Sequence, residues 1–238
     1  MSQFEHPFPA DQVADFERDA LALTLQHAPV LSSTCLNQLL AYAGMMSRWG
    51  KTYNLTAVRD PADMLRLHLL DSLVVREPLA RHLHQARGSG AVMAPDAPAV
   101  LDVGSGGGLP GVVLAITMPQ LRVTCVDAVA KKTAFVRQVA AELRLPNLRA
   151  EHARVEALKP LPWPVITSRA FASLLDFVSL TRDLLAPGGV WMAMKGRHPK
   201  DEMEALPADV EVFHVEQLQV PGLDAERCLV WMRVREQR

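Results

Sequence analysis

The sequence predicts an α/β protein: a mostly parallel, doubly wound sheet with a terminal antiparallel β pair, preceded by an N-terminal helical cap. Three observations predict it. From residue 99 onward, short β-branched runs alternate with helical patterns, the signature of repeated βα units. The first of these runs, Ala99-Val-Leu-Asp-Val103, passes straight into a glycine-rich turn, Gly104-Ser-Gly-Gly-Gly-Leu-Pro-Gly111. Residues 1–96, in contrast, show helical apolar spacing and no strand pattern.

The elements follow in order. Asp11 to Gln26 carries apolar residues at 13, 16, 20, 21 and 23–25, an amphipathic helix. Thr34 is the expected cap of a second helix, with Leu36, Leu39, Leu40, Ala43, Met46 and Trp49 along one stripe and Gly50 as the stop. A polar stretch, residues 51–61, leads to a third helix from about Pro61, carrying Met64, Leu65, Leu69, Leu70, Leu73 and Val74. Residues 87–98, rich in Gly, Pro and small residues, read as a linker and place a boundary between a cap, 1–96, and an α/β domain, 97–238. In that second part the strands are 99–103, 121–127, 148–152, 165–169 and 190–194, with helices over 129–145 and 174–185. Two further strands, 210–219 and 227–235, are joined through Pro221-Gly222 as an antiparallel pair.

Composition narrows the class. Of 238 residues, 49% are hydrophobic, enough for a full core, yet no apolar run reaches the ~18–20 residues of a membrane span. The start, Met1-Ser-Gln-Phe-Glu-His-Pro7, lacks a basic region followed by an apolar one, so no secretory signal is read there. Cys35, Cys125 and Cys228 are odd in number and outside any CxxC, which points to reduced thiols in a cytoplasmic protein and to no metal site. Nothing in the pattern demands an oligomer, and a monomer is expected. The net charge of −1 hides an asymmetry: residues 131–200 hold 12 Lys/Arg against 5 Asp/Glu, a footprint suited to a polyanion or simply a basic set of helix surfaces.

The glycine turn suits a cofactor, because missing side chains let backbone turn tightly and a ligand come close, and carboxyl ends of strands are where α/β sheets bind ligands. Pro110 stands where a first helical residue belongs. The dinucleotide fingerprint GxGxxG requires glycines at 104, 106 and 109, and position 109 is Leu. The turn therefore fits the S-adenosylmethionine pocket of class I methyltransferases better than an NAD site; a purely structural turn is the remaining reading. Asp127, 25 positions after Asp102 at the end of the next strand, is placed to accept hydrogen bonds from ribose hydroxyls.

Six stretches occur together in order: Asn54-Leu-Thr-Ala-Val-Arg-Asp-Pro61, His68-Leu-Leu-Asp-Ser72, Asp102 through Gly111, Arg154-Val-Glu156, Ser168-Arg-Ala-Phe-Ala-Ser173 and Leu218-Gln-Val-Pro-Gly222. From about residue 35 to 235 the chain resembles the RsmG (GidB) family, bacterial 16S ribosomal RNA guanine-N7 methyltransferases; residues 1–30 lie largely outside the match. The resemblance implies a class I methyltransferase fold and an adenosylmethionine pocket in which Gly104, Gly106 and Leu109 line the turn, Asp127 holds the ribose, Val155 and Glu156 flank the adenine, and Arg169 closes the site. It implies 16S ribosomal RNA or the small ribosomal subunit as partner. One departure stands out: the family usually has Arg directly before the histidine of H-x-x-D-S, where this chain has Leu67 preceded by Arg66.

Guanine N7 carries a lone pair and no proton at neutral pH, so methylation there is a direct displacement that needs no general base. Positioning and exclusion of water should supply the catalysis. No acid–base residue is assigned, and His68, between two leucines, is expected to make a structural hydrogen bond to Asp71 or a neighbouring loop. Lys195 and Arg197, after the fifth strand, and Lys131 and Lys132, after Asp127, are the candidate RNA contacts. Phe171 is a candidate base stacker or a core residue. The competing functions are a methyltransferase for another substrate, a non-catalytic module that binds adenosylmethionine and RNA, and an NAD dehydrogenase.

Overall fold

A computed structural model of the chain describes residues 6–23, 28–53, 55–88, 98–169, 171 and 173–235. Helix α1 spans Ala10–Ala22 and buries Phe16 and Ala20; it ends at the Leu23 cap, and residues 24–26 of its expected extent lie outside the described residues. Helix α2 spans Ser33–Tyr53. Its cap is Ser32, not Thr34: the Ser32 hydroxyl accepts the Cys35 N–H at 3.2 Å, and its carbonyl accepts the Leu36 N–H at 3.0 Å. Nor does Gly50 end the helix. Its missing side chain instead admits Arg59, which donates to the Gly50 carbonyl at 2.7 Å; a Cβ there would lie 3.3 Å from that guanidinium.

Asp60 accepts the Asp63 N–H and opens α3, Pro61–Met64. The chain then widens into a π-turn, Leu65–Leu70, before the short α4, Asp71–Leu73, and α5, Arg76–Gly88. The sequence pattern did not separate α5 from what precedes it. Most of the expected linker, 89–97, falls outside the described residues, as do Asn54, Ala170 and Ala172 of the matched stretches.

The strands are β1 Ala99–Val103, β2 Arg122–Asp127, β3 Leu148–His152, β4 Trp163–Ser168, β5 Leu185–Lys195, β6 Val210–Leu218 and β7 Arg227–Val234. They form one sheet in the order β3-β2-β1-β4-β5-β7-β6, parallel through β5 and antiparallel at β5–β7 and β7–β6, as expected. The helices between them are α6 Gly111–Thr117, α7 Ala130–Glu142, α8 Leu174–Thr181 and α9 Lys200–Glu204. Helix α8 stops four residues short of expectation because β5 begins at Leu185, paired with Trp163, and the Pro187-Gly188-Gly189 stretch becomes an irregularity inside β5. Side chains alternate across β1. Val100 joins a core shared with α2, α6 and α7, while Leu101 and Val103 join a second core with Phe177 and Val178 of α8. The first core runs without a break from Phe8 in the helical segment to Trp231 in β7.

Candidate active site

The glycines of the turn divide by what surrounds them. Gly104 and Gly106 have φ of +67° and +59°, and a Cβ on either would meet nothing within 4 Å among the described residues, so both face open space there. Gly108 and Gly111 face inward: a Cβ would lie 2.3 Å from Val112 Cγ2 at Gly108 and 2.5 Å from Cys125 Sγ at Gly111. Gly111 lets α6 sit against β1 and β2, and Gly108 lets the turn pack on Val112 of α6 and Val136 of α7; the other two leave room for a ligand.

Three side chains hold the turn. Asp102 Oδ2 accepts the Gly111 N–H at 2.8 Å, at the start of α6, one residue later than Pro110 suggested. Asp127 accepts the Gly106 N–H at 2.9 Å through Oδ2 and the Val129 N–H at 2.8 Å through Oδ1. Tyr42, from α2, donates its hydroxyl to the Gly107 carbonyl at 2.7 Å. Burial pushes the Asp102 carboxyl up to about 7, against the Gly111 hydrogen bond that lowers it; its Oδ1 has no partner among the described residues. Burial likewise raises the Tyr42 hydroxyl and the Cys125 thiol well above their ordinary ranges, so both stay protonated at neutral pH.

At the carboxyl ends of β1 and β2 lies a cavity of about 260 Å³, bounded by Gly104, Asp127, Val155, Glu156, Phe171 and Leu180 among others. Four of the predicted cofactor residues thus share one hollow. Gly106, Leu109 and Arg169 do not line it: Gly106 is bonded to Asp127, Leu109 is buried in the first core, and Arg169 is held beside the cavity by Asp71. Arg169 donates to the Leu67 carbonyl and to Asp71 Oδ2, both at 3.2 Å, and Arg227 donates to Asp71 Oδ1 at 2.6 Å. Phe171 packs on Phe177, ring centroids 5.3 Å apart, in keeping with its core reading, and it also borders the cavity.

On the expected RNA side, Lys195 is paired with Glu202 at 2.7 Å and Lys132 lies 3.5 Å from Asp127, while Lys131 and Arg197 are exposed. His68 Nε2 lies 2.6 Å from the Thr56 hydroxyl, so its structural partner is the neighbouring loop. Burial, reinforced by Arg169, lowers its pKa to about 4, leaving the ring neutral at pH 7. Tyr42, Asp71 and Arg227 were not legible from sequence as site residues. Asp102 stands within the glycine-turn stretch, but its place there assigned it no role. Among the described residues, no group of three or more His, Cys, Asp or Glu side chains could hold a metal ion, and no helix is long and apolar enough to cross a membrane.

The strand order, the reversed last strand and a cavity over the ends of β1 and β2 define a class I methyltransferase fold. Residues 35–230 match the family model described as GidB: rRNA small subunit methyltransferase G, and the chain belongs to that family. Proteins named Ribosomal RNA small subunit methyltransferase G are similar to it over nearly their whole length. The one from Leptothrix cholodnii is 63% identical, covering 86% of this chain and 89% of the relative. The one from Polaromonas naphthalenivorans is 58% identical, covering 89% and 91%, and the one from Methylibium petroleiphilum is 55% identical, covering 95% and 96%.

Proposed function

We propose that this protein transfers the methyl group of S-adenosylmethionine to N7 of a guanine in 16S ribosomal RNA. The observation that carries the reading is the cavity beside Gly104 and Asp127 in a chain of this family. The residues fit the cofactor. Two glycines open onto free space where a side chain would intrude, and the cavity is somewhat smaller than the ~300–1,000 Å³ of drug-sized pockets, as suits the nucleoside end of a ligand. When bound, adenosylmethionine supplies an electrophilic methyl carbon on a sulfonium. Val155 and Glu156 would flank the adenine. Asp127 Oδ1 accepts the Val129 N–H, and Oδ2 takes the Gly106 N–H with Lys132 at 3.5 Å, so Oδ1 keeps a lone pair for a ribose hydroxyl. Leu109 supports the turn from the core, and Arg169, held by Asp71, closes the far side.

The chemistry requires no proton transfer to the enzyme before methyl transfer, in keeping with a neutral His68 held by Thr56. The chain's part is to hold N7 in line with the methyl–sulfur bond and to keep water out. Residues 1–96 serve as a cap on the methyltransferase domain, 97–238, with Lys131, Lys132, Lys195 and Arg197 facing the RNA. The protein works as a monomer in the cytoplasm, where its substrate is. Incubation with methyl-labelled adenosylmethionine and undermethylated small-subunit RNA or particles tests this. Label at guanine N7 is expected; label only on protein or small molecules, or none in either RNA form, would overturn it.

A further inference from the structure

We propose that Trp49 and Tyr53 form a stacking subsite for an unpaired base of the RNA substrate, beside the methyl-donor turn. The inference rests on the ribosomal-RNA reading above. Tyr42, Met46, Trp49 and Tyr53 share one face of α2 by their spacing. At its inner end this stripe belongs to the turn: Tyr42 is fully buried on the Gly107 carbonyl, and Met46 Cε lies 3.2 Å from where a Gly107 Cβ would be. Farther out, Trp49 packs on Phe135 of α7 with ring centroids 5.4 Å apart. At the outer end Tyr53 lies on Trp49, centroids 4.8 Å apart at 40°, with 44% of its surface exposed. Where it reaches solvent the stripe ends in an aromatic pair, and it carries both of the chain's tyrosines.

The charges around the pair suit a polyanion. Helix α2 contains no Asp or Glu, and its last turns expose Arg48 and Lys51. Lys131 is exposed one turn before Phe135 on the same face of α7. At the start of α7 Lys132 lies 3.5 Å from Asp127, and Lys131 beside it is exposed. Single-stranded RNA binds to this combination, with backbone phosphates on the cations and a splayed base on the aromatic face.

The test measures KM for undermethylated small-subunit RNA alongside calorimetric affinity for adenosylmethionine. Tyr53→Ala should raise the RNA KM by roughly 5- to 150-fold, the range that loss of one base–aromatic stack produces, with adenosylmethionine affinity unchanged. Tyr53→Phe should restore wild-type behaviour. A wild-type RNA KM in Tyr53→Ala, or a parallel fall in cofactor affinity, would overturn the subsite. Should the wild-type protein methylate no ribosomal RNA, fluorescence anisotropy with a labelled fragment of that RNA separates the two ideas. Binding that still depends on an aromatic ring at 53 sustains the subsite and rejects the reaction; binding indifferent to the ring rejects the subsite.

Discussion

Asp71 is the residue on which two distant parts of the chain converge. It is 4% exposed, and its two oxygens take Arg169 from the end of β4 and Arg227 from the start of β7, joining both to the helical segment. A carboxylate taken out of water is tolerable only with such partners, and removing the shared member leaves two cations facing each other across a largely dry site. Losing one arginine leaves the carboxylate still paired. Because both guanidinium side chains keep about a quarter of their surface in solvent, the effects should fall below the ~3–5 kcal/mol of a fully buried pair. Asp71→Asn is therefore expected to cost about 1–3 kcal/mol in urea denaturation, and Arg227→Met distinctly less. Equal or reversed costs would show that the carboxylate is not the hub. Adenosylmethionine affinity should also drop in Asp71→Asn if Arg169 closes the cofactor site, because nothing else in its described contacts fixes the guanidinium except the Leu67 carbonyl.

Among the elements, the turn between β1 and α6 makes the sharpest prediction, because its glycines do two different jobs. Gly108→Ala places a Cβ 2.3 Å from Val112 and 3.1 Å from Val136, both in the packed core, on a backbone with φ of +94°. That variant should lose several kcal/mol of stability or fail to fold. Gly104→Ala meets open space and carries only the left-handed backbone penalty of about 1–2 kcal/mol, so it should fold and yet bind adenosylmethionine poorly. Thermal melts and calorimetry on the pair check this; normal cofactor binding by Gly104→Ala would remove the turn from the site. The turn, the strands and the carboxylate ending β2 were readable because each leaves a local mark: alternation, glycine spacing, a charge where an apolar run stops. Tyr42 on Gly107 and Asp71 between its arginines join residues 65, 98 and 156 positions apart, and contacts at such separations leave no periodic trace. The Ser32 cap and the continuation of α2 past Gly50 were hidden for a related reason. Ser32, Ser33 and Thr34 can all cap a helix, and only the fold brings Arg59 to Gly50.

For the molecule as a whole, the charge asymmetry of the sequence is partly spent internally: Lys195 pairs with Glu202, Lys200 with Glu204 and Arg182 with Asp209, basic block against acidic tail. A subtler balance involves two buried groups whose pKa values move in opposite directions. His68 falls from 6.5 to about 4, so its contribution to stability is complete above pH 6.5 and is lost as pH drops toward 4. Asp102 rises from 3.8 to about 7, so its contribution is complete below pH 3.8 and is lost as pH climbs toward 7. Between about pH 4 and 6.5, unfolding takes up a proton at His68 and releases one at Asp102, and the two slopes cancel. Each alone is worth about 1.4 kcal/mol per pH unit. Asp102→Asn keeps an oxygen for the Gly111 N–H and uncovers the histidine, so its stability should rise with pH, relative to wild type, across this window. His68→Gln uncovers the aspartate, and its stability should fall with pH by a similar slope. Urea denaturation at pH 4.5, 5.5 and 6.5 reads both; profiles parallel to wild type in either variant would mean that the corresponding group does not titrate differently in the folded chain.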